Sequence, residues 1–150
     1  MRKSCYTSTG LRLMDKVFLD TNVVVDFLCE RGEFYLPAAR IVTKAYHKEI
    51  ELCCSALTFA TASFLMEKSK VPIAKIFRKL ADFCSLCTPT AVGRSVINDS
   101  LASAFNDFED AMQYFSAKQY GATVIITRNG KDFTASELPC LSPVENLEDN

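Results

Sequence analysis

The heptapeptide KVFLDTN, Lys16–Asn22, joins a short apolar run to an acid, a hydroxyl and an amide. Apolar residues at helical spacing follow at once, so the stretch predicts a buried β-strand over Val17–Asp20 and a helix from Asn22 to about Cys29. Such a strand places the Asp20 carboxylate at the C-terminal edge of a sheet, where ligands bind in open α/β folds. Asp20 also suits the N-cap of the helix, so the stretch alone leaves a ligand and a cap as alternatives.

The size and composition of the chain predict one folded domain without a membrane-spanning segment. The 150 residues are 49% hydrophobic, which is enough for a sizeable core. No apolar run approaches the roughly 20 residues needed to span a bilayer, and residues 1–13 lack the apolar segment of an export signal. We therefore expect a cytoplasmic protein that does not associate with membranes. Residues 1–13 are interpreted as a disordered extension or a mis-set start codon, and residues 14–150 as the domain.

Charge and residue usage exclude several kinds of function. A net charge of −1 is not typical of a protein that coats a long duplex. His47 is the single histidine. Catalytic Ser-His-Asp and Cys-His arrangements and histidine-based metal sites are therefore not favoured. Seven cysteines, mostly inside apolar runs, indicate reduced core thiols. The CxxC at Cys84–Cys87 has no second pair and no nearby histidine, so a zinc or redox site is not favoured.

The rest of the chain alternates predicted helices with short predicted strands. The helices are expected over 35–47, 57–70, 73–84, 90–104 and 106–120, and the strands over 52–55, 86–88 and 122–127. Gly121 suits the position after a helix, and the acidic residues 145–150 are expected to fray. The alternation predicts βαβ units, and hence a three-layer α/β/α sandwich around a central parallel sheet of four to five short strands.

Four aspartates are expected to converge, because residues just past parallel strands share one edge of the sheet. Asp20 ends the first strand, Asp107 and Asp110 open the helix before the fourth strand, and Asp132 follows that strand. Asp107 and Asp110 are three apart and share a side of the helix, whereas Glu109 points elsewhere. Clustered carboxylates suit Mg²⁺ or Mn²⁺, which supports metal-assisted phosphodiester hydrolysis. Taken singly, each acid is equally well explained as a cap or a partner of a helix dipole.

Four blocks of sequence, in this order and spacing, resemble a PIN domain, the nuclease fold of VapC-type toxins in bacterial toxin–antitoxin pairs. They are VFLDTN at 17–22, SALTFA at 55–60, DFEDAMQY at 107–114 and IITRNGKDF at 125–133, and LSP at 141–143 follows. The resemblance implies a Mg²⁺- or Mn²⁺-dependent ribonuclease that acts on single-stranded or structured RNA. It also implies a homodimer and a cognate antitoxin protein that holds the enzyme inactive.

The resemblance assigns roles to individual acids. Asp20 matches the first acid of the family and Asp110 the main helical acid, so both are expected to ligate the metal. Asp107 and Asp132 are expected to complete the catalytic set directly or through water. The second acid of the family falls near Ala60 or Thr61, where this chain has none, and Asn129 stands where a further acid often lies. These departures imply weaker metal binding and weak or lost activity.

Polar neighbours of the acids are expected to orient them, to orient water on the metal or to bind substrate. They are Thr21, Asn22, Ser55, Thr127 and Asn129. Backbone capping explains Thr21, Asn22 and Ser55 equally well. Arg128 is expected to contact a phosphate, and Lys131 to be a solvated turn residue. Aromatic residues at helical spacing, Phe34 among them, are interpreted as core or interface and not as base-stacking platforms.

Two alternatives to an active nuclease stay open from the sequence. A catalytically degenerate PIN fold that binds RNA or protein is favoured by the missing acids. A phosphatase of the haloacid dehalogenase kind also opens with a strand and an aspartate, but that family has Asp-x-Asp where this chain has Asn22.

Overall fold

The structure, a computed structural model, describes residues 14–149. Five strands form one sheet in the order β3-β2-β1-β4-β5, and all four neighbouring pairs are parallel. The strands are β1 Lys16–Leu19, β2 Glu51–Ser55, β3 Cys87–Thr90, β4 Val124–Ile126 and β5 Cys140–Leu141. The predicted α/β fold with a central parallel sheet is confirmed, and β1 is its middle strand.

Seven α-helices connect and cover the strands within the described residues. They are α1 Thr21–Leu28, α2 Tyr35–Tyr46, α3 Ala56–Lys68, α4 Ile73–Leu86, α5 Arg94–Leu101, α6 Phe108–Tyr120 and α7 Pro143–Glu148. Successive strand side chains point to opposite faces of a sheet. Val17 and Leu19 accordingly join a core with α1 to α4, whereas Phe18 joins a second core with Tyr114 of α6. The sheet is thus buried on both faces, which explains why β1 is apolar at three consecutive positions.

Strand β3 and helix α5 differ from the predicted boundaries. The strand was expected to end before Pro89, yet Pro89 lies inside β3 and pairs with Cys54. Proline is tolerated there because β3 is an edge strand, whose outward N–H positions need no partner. Thr90 consequently belongs to the strand, and the helix predicted over 90–104 shortens to Arg94–Leu101.

The C-terminal segment does not fray as expected over residues 145–148. It forms α7, which begins with a capping box. Ser142 Oγ accepts a hydrogen bond from the Glu145 N–H at 3.1 Å, and Glu145 Oε1 accepts one from the Ser142 N–H at 3.1 Å. Pro143 occupies the first turn, where its missing N–H costs no helical hydrogen bond. These local signals outweigh the acidic composition of the segment.

The N-terminal extension interpreted over residues 1–13 lies outside the described residues. Within residues 14–149, none of the helices has the length and apolar character needed to cross a membrane. Three of the expected core thiols, Cys53, Cys54 and Cys87, are buried in the structure.

Candidate active site

Asp20 lies at the middle of the C-terminal edge of the sheet and is only 5% exposed. Its Oδ1 accepts a hydrogen bond from the Thr21 N–H at 2.8 Å, so it caps α1. Its Oδ2 accepts bonds from Thr127 Oγ1 at 2.8 Å and from Asn22 Nδ2 at 3.3 Å. Burial raises the pKa of Asp20, and the hydrogen bonds from Thr127 and Thr21 partly oppose that rise. The two interpretations of Asp20 are therefore compatible, because it caps a helix at the ligand-binding edge.

The start of α6 brings two further carboxylates to the same edge. Asp107 is the N-cap of α6, and its Oδ1 accepts a hydrogen bond from the Asp110 N–H at 2.9 Å. The pKa of Asp110 is raised to about 7, chiefly by partial burial and also by the charges of Asp107, Asp20 and Asp132. The four aspartates expected to converge thus act on one another electrostatically.

Two charged neighbours contribute to the electrostatic field of the aspartates. Glu109, which was expected to point elsewhere, is exposed, and its charge raises the pKa of both Asp20 and Asp110. Lys131 was expected to be a solvated turn residue. It is exposed, but it also lines a depression of about 80 Å³ together with Asp107, Asp110 and Asp132. The depression thus carries one cation among its acids.

A buried polar cluster beneath Asp20 holds the side chain that the sequence analysis missed, Gln113. Gln113 Nε2 donates to Thr21 Oγ1 at 2.8 Å and to Thr58 Oγ1 at 3.4 Å, and the two threonine hydroxyls lie 2.9 Å apart. Ser55 Oγ lies 3.3 Å from Thr58 Oγ1, so Ser55 reaches Asp20 only through the threonines. Gln113 is one turn after Asp110 on α6, and that spacing is the signal that could have identified it.

The segment after β4 is tied to the Asp20 region through its backbone. The Arg128 N–H donates to Asn22 Oδ1 at 3.4 Å, and the Asn129 N–H donates to Thr127 Oγ1 at 3.0 Å. The Asn129 side chain itself is exposed. Asp132 is also exposed, in the 3₁₀ turn Gly130–Phe133. Asn22 and Thr127 therefore orient the segment that carries Asp132.

Arg128 is held by a buried acid that the sequence analysis also missed. Its Nε and Nη2 donate to Asp26 at 2.6 and 3.2 Å, and the Asp26 side chain is 1% exposed. Arg31 Nη1 lies 3.9 Å from the same carboxylate. The Arg128 guanidinium stands 4.0 Å from the centre of the Phe34 ring. The sequence could have indicated this ion pair, because Asp26 lies inside the apolar run VVVDFL and a buried charge needs a partner.

The oxygen donors at this edge fit one divalent cation that keeps most of its water. In the described part of the chain, no group of three His, Cys, Asp or Glu side chains is arranged to hold a metal ion alone. Glu67 is exposed near the end of α3 and leaves the place of the missing acid unfilled. Mg²⁺ is commonly bound through one or two carboxylates with water completing its shell. A cation between Asp20 and Asp110 would also relieve the repulsion that raises the Asp110 pKa.

Sequence comparison assigns the family. Residues 16–131 match the sequence profile of the PIN domain. The chain belongs to the PIN domain family. It is also similar to Ribonuclease VapC1 of Aquifex aeolicus (strain VF5), with 24% identity over 139 residues that cover 89% of this chain and 94% of that protein.

Solved structures share this PIN fold at low sequence identity. One is a toxin–antitoxin complex from Klebsiella pneumoniae, with a TM-score of 0.65, 19% identity, and coverage of 85% of this chain and 97% of that chain. Another is VapBC2 from Rickettsia felis bound to a DNA fragment from their promoter, with a TM-score of 0.60, 17% identity, and coverage of 83% and 96%. The resemblance inferred from the sequence blocks is thereby confirmed.

Proposed function

We propose that this PIN domain protein is a metal-dependent endoribonuclease that cuts single-stranded or structured RNA, as the toxin of a toxin–antitoxin pair. The main support for this proposal is that Asp20 and Asp110 share one sheet edge with Asp107 and Asp132, and that the charges of these carboxylates repel one another. The distant similarity to a VapC ribonuclease supports the reaction. The likeness to a chain of a toxin–antitoxin complex supports an antitoxin partner.

In this proposal Asp20 and Asp110 hold Mg²⁺ or Mn²⁺. When bound, the ion lowers the pKa of water and polarises a phosphate oxygen. Thr127 and Thr21 keep the Asp20 carboxylate in one orientation through their hydrogen bonds. Asp107 fixes the start of α6 and so the position of Asp110.

The test compares cleavage and metal binding in matched variants. Purified protein with Mn²⁺ is expected to cut labelled single-stranded RNA, and Asp20→Asn or Asp110→Asn is expected to abolish both cleavage and the calorimetric Mn²⁺ signal. Asp99→Asn, which changes an exposed acid on α5, is the control and is expected to match the wild type. The proposal fails if the wild type cuts no RNA and the two variants do not relieve a growth defect on expression.

The toxin role and the oligomeric state have tests of their own. If a small protein is encoded beside this gene, its co-expression is expected to restore growth and the small protein is expected to co-purify with the chain. Light scattering on the purified protein is expected to give the mass of a homodimer.

A degenerate PIN fold that binds RNA without cutting it is the second candidate. It is favoured by the absence of an acid at Thr61 and Asn129 and by the absence of a three-ligand group among the described residues. Sub-millimolar Mn²⁺ binding that disappears in Asp20→Asn would argue against it. RNA binding that is unaffected by chelation and never leads to cleavage would favour it.

A further inference from the structure

A second depression lies beside the acids and differs from them in chemistry. Its volume is about 450 Å³, and its walls come from the 3₁₀ turn Gly32–Phe34, from α2 and from the start of α7. The residues that matter here are Phe34, Pro37, Pro143, Val144 and Arg128. An adjoining depression of about 540 Å³ shares Phe34 and Arg128 and adds Arg31. The surface therefore combines an aromatic ring, apolar walls, two guanidinium groups and the carboxylate of Glu33, which lines both depressions.

Arg128 is fixed in place before any ligand arrives. Asp26 engages two N–H groups along one edge of the guanidinium, and Phe34 covers one face at 4.0 Å. A guanidinium has five N–H donors, so three take no part in the bonds to Asp26. The Arg128 side chain is 27% exposed, and Asp26 is buried. A planar cation held in this way loses little entropy when it binds a phosphate.

The position of Arg128 relates this surface to the acidic edge, by which we mean the C-terminal edge of the sheet that carries Asp20, Asp107, Asp110 and Asp132. Arg128 directly follows Thr127, whose hydroxyl binds Asp20 at 2.8 Å, and consecutive Cα atoms are about 3.8 Å apart. The Arg128 N–H also bonds to Asn22 in the first turn of α1. The Arg128 backbone therefore lies at the same edge of the sheet as Asp20, and its side chain leads from that edge to Asp26 and Phe34.

We propose that Arg128, clamped by Asp26 and Phe34, binds the RNA phosphate next to the scissile one, and that the depression lined by Phe34 and Pro143 receives the base of that nucleotide. The proposal rests on the ribonuclease function proposed above. Phe34 is 40% exposed and Val144 is 50% exposed, so ring and wall are accessible. Phe34 is then a base-stacking residue, contrary to its interpretation from the sequence as core or interface.

The chemistry of the surface favours RNA over a protein segment as its occupant. A volume of about 450 Å³ suits a single small ligand group and is too small for a helix. Aromatic rings beside arginines are typical of single-stranded nucleic-acid sites, where bases stack and cations hold the backbone. Arg31 and Arg128 supply two cations for the RNA backbone against the single acid Glu33 that lines the two depressions. The clustered aspartates repel a phosphate unless a metal ion is bound between them.

The experiment measures RNA binding without cleavage or metal. Asp110→Asn protein in chelator is titrated into a fluorescent single-stranded RNA, and Phe34→Leu and Arg128→Lys are added to that background. Each is expected to weaken binding about fivefold or more. Phe77→Leu and Arg78→Lys, which change exposed residues on α4, are the matched controls and are expected to leave the affinity unchanged.

A second measurement avoids any variant that fails to fold. Wild-type protein is photo-crosslinked to RNA containing 4-thiouridine and digested with trypsin. The crosslink is expected in the peptide GEFYLPAAR, residues 32–40, which carries Phe34 and Pro37. Crosslinks confined to other peptides, together with equal affinities of Phe34→Leu and Phe77→Leu, would overturn the proposal.

The outcomes separate this proposal from the proposed function. If the protein cuts no RNA but Phe34→Leu still weakens binding selectively, the nuclease fails and the nucleotide site stands. If the protein cuts RNA and the Phe34 and Phe77 variants bind equally, the site fails and the nuclease stands. If Phe34→Leu abolishes rescue by the antitoxin with RNA affinity unchanged, the surface belongs to a protein partner and the proposal is overturned.

Discussion

Thr127 Oγ1 donates a 2.8 Å hydrogen bond to Asp20 Oδ2 across 107 positions of sequence. The bond joins the ends of β4 and β1, which are neighbouring parallel strands. The same hydroxyl oxygen accepts the Asn129 N–H at 3.0 Å. Thr127 therefore sets the orientation of the buried acid and also holds the segment that continues to Asp132.

Thr127→Val tests this relationship with little change in shape. We expect the free energy of unfolding to fall by about 1–2 kcal/mol, because the buried Asp20 oxygen loses a donor. Mn²⁺ affinity is expected to fall about tenfold, as is typical when an orienting partner of a ligand is removed. Urea unfolding and calorimetry measure the two effects. Thr43→Val, which removes an exposed hydroxyl bonded to Ala39, is the control, and equal effects in both variants would contradict the expectation.

The acidic edge predicts a pH dependence of metal-free stability. The pKa of Asp110 is raised from 3.8 to about 7, chiefly by burial, so the folded state holds the proton more tightly than the unfolded chain. Its contribution to stability is full below about pH 3.8 and is lost as the pH rises through about 7. We expect thermal unfolding scans to show this decline, and Asp110→Asn to reduce it and to stabilise the metal-free protein at pH 8. A decline of the same size in Asp110→Asn would contradict the assignment to Asp110.

The ion pair of Asp26 with Arg128 predicts strong coupling between the two residues. Arg128→Met leaves the buried Asp26 with only Arg31, whose Nη1 is 3.9 Å away, so we expect a loss of about 3 kcal/mol in the free energy of unfolding. The double variant with Asp26→Leu is expected to recover most of that loss, because no charge then remains buried. Denaturant unfolding of both single variants and the double variant gives the coupling free energy. Additive effects of the two substitutions would show that the pair is not coupled.

Helix α4 offers a matched pair of isoleucines. Ile73 and Ile76 are three residues apart on the helix, yet Ile76 is fully buried and Ile73 is 59% exposed. We expect Ile76→Ala to lower the free energy of unfolding by about 2–4 kcal/mol, because it leaves a cavity. Ile73→Ala is expected to change it by less than about 0.5 kcal/mol. Urea titrations compare the two, and a large loss in Ile73→Ala would mean that this face is covered in solution.

Thr61→Glu is expected to strengthen metal binding. Thr61 is three residues after Thr58 and so shares its helix face, and Thr58 contacts Thr21 next to Asp20. A carboxylate at this position would add an oxygen ligand near the acidic edge. We expect Mn²⁺ to bind about tenfold more tightly, which is a gain of about 1.4 kcal/mol. Glu67→Gln, which changes an exposed acid near the end of α3, serves as the reference for charge changes on this helix, and an equal change in affinity would exclude a local effect.

Much of the fold could be predicted from the sequence, because the patterns that indicate it are local or follow from sheet geometry. The apolar run Val17–Leu19 and the glycine after α6 gave correct elements, and Gly121 adopts the expected left-handed conformation with φ of 90°. The errors had two different causes. Pro89 stays in a strand because that strand is an edge, which is a tertiary effect. The capping box of Ser142 and Glu145 is a local signal that the expectation of a frayed acidic tail did not use.

The acids of the candidate site could be grouped from the sequence, but the side chains that hold them could not. Parallel strands bring Asp20 and Asp132 to one edge whatever their separation in sequence. The bonds from Gln113 to Thr21 and from Arg128 to Asp26 span 92 and 102 positions. Such pairs depend on side-chain packing at long range, which no local pattern encodes.

The aspartates lie on parts of the molecule whose local unfolding requires different free energies. The Asp20 N–H donates to Ile126 O at 2.9 Å in the middle of the sheet, so its exchange with deuterium requires disruption of the core. Asp132 lies in an exposed 3₁₀ turn, whose amides exchange through local opening. We therefore expect warming to disorder the cluster of aspartates from the Asp132 side while Asp20 is still in place, so that the proposed activity would be lost at a lower temperature than the fold.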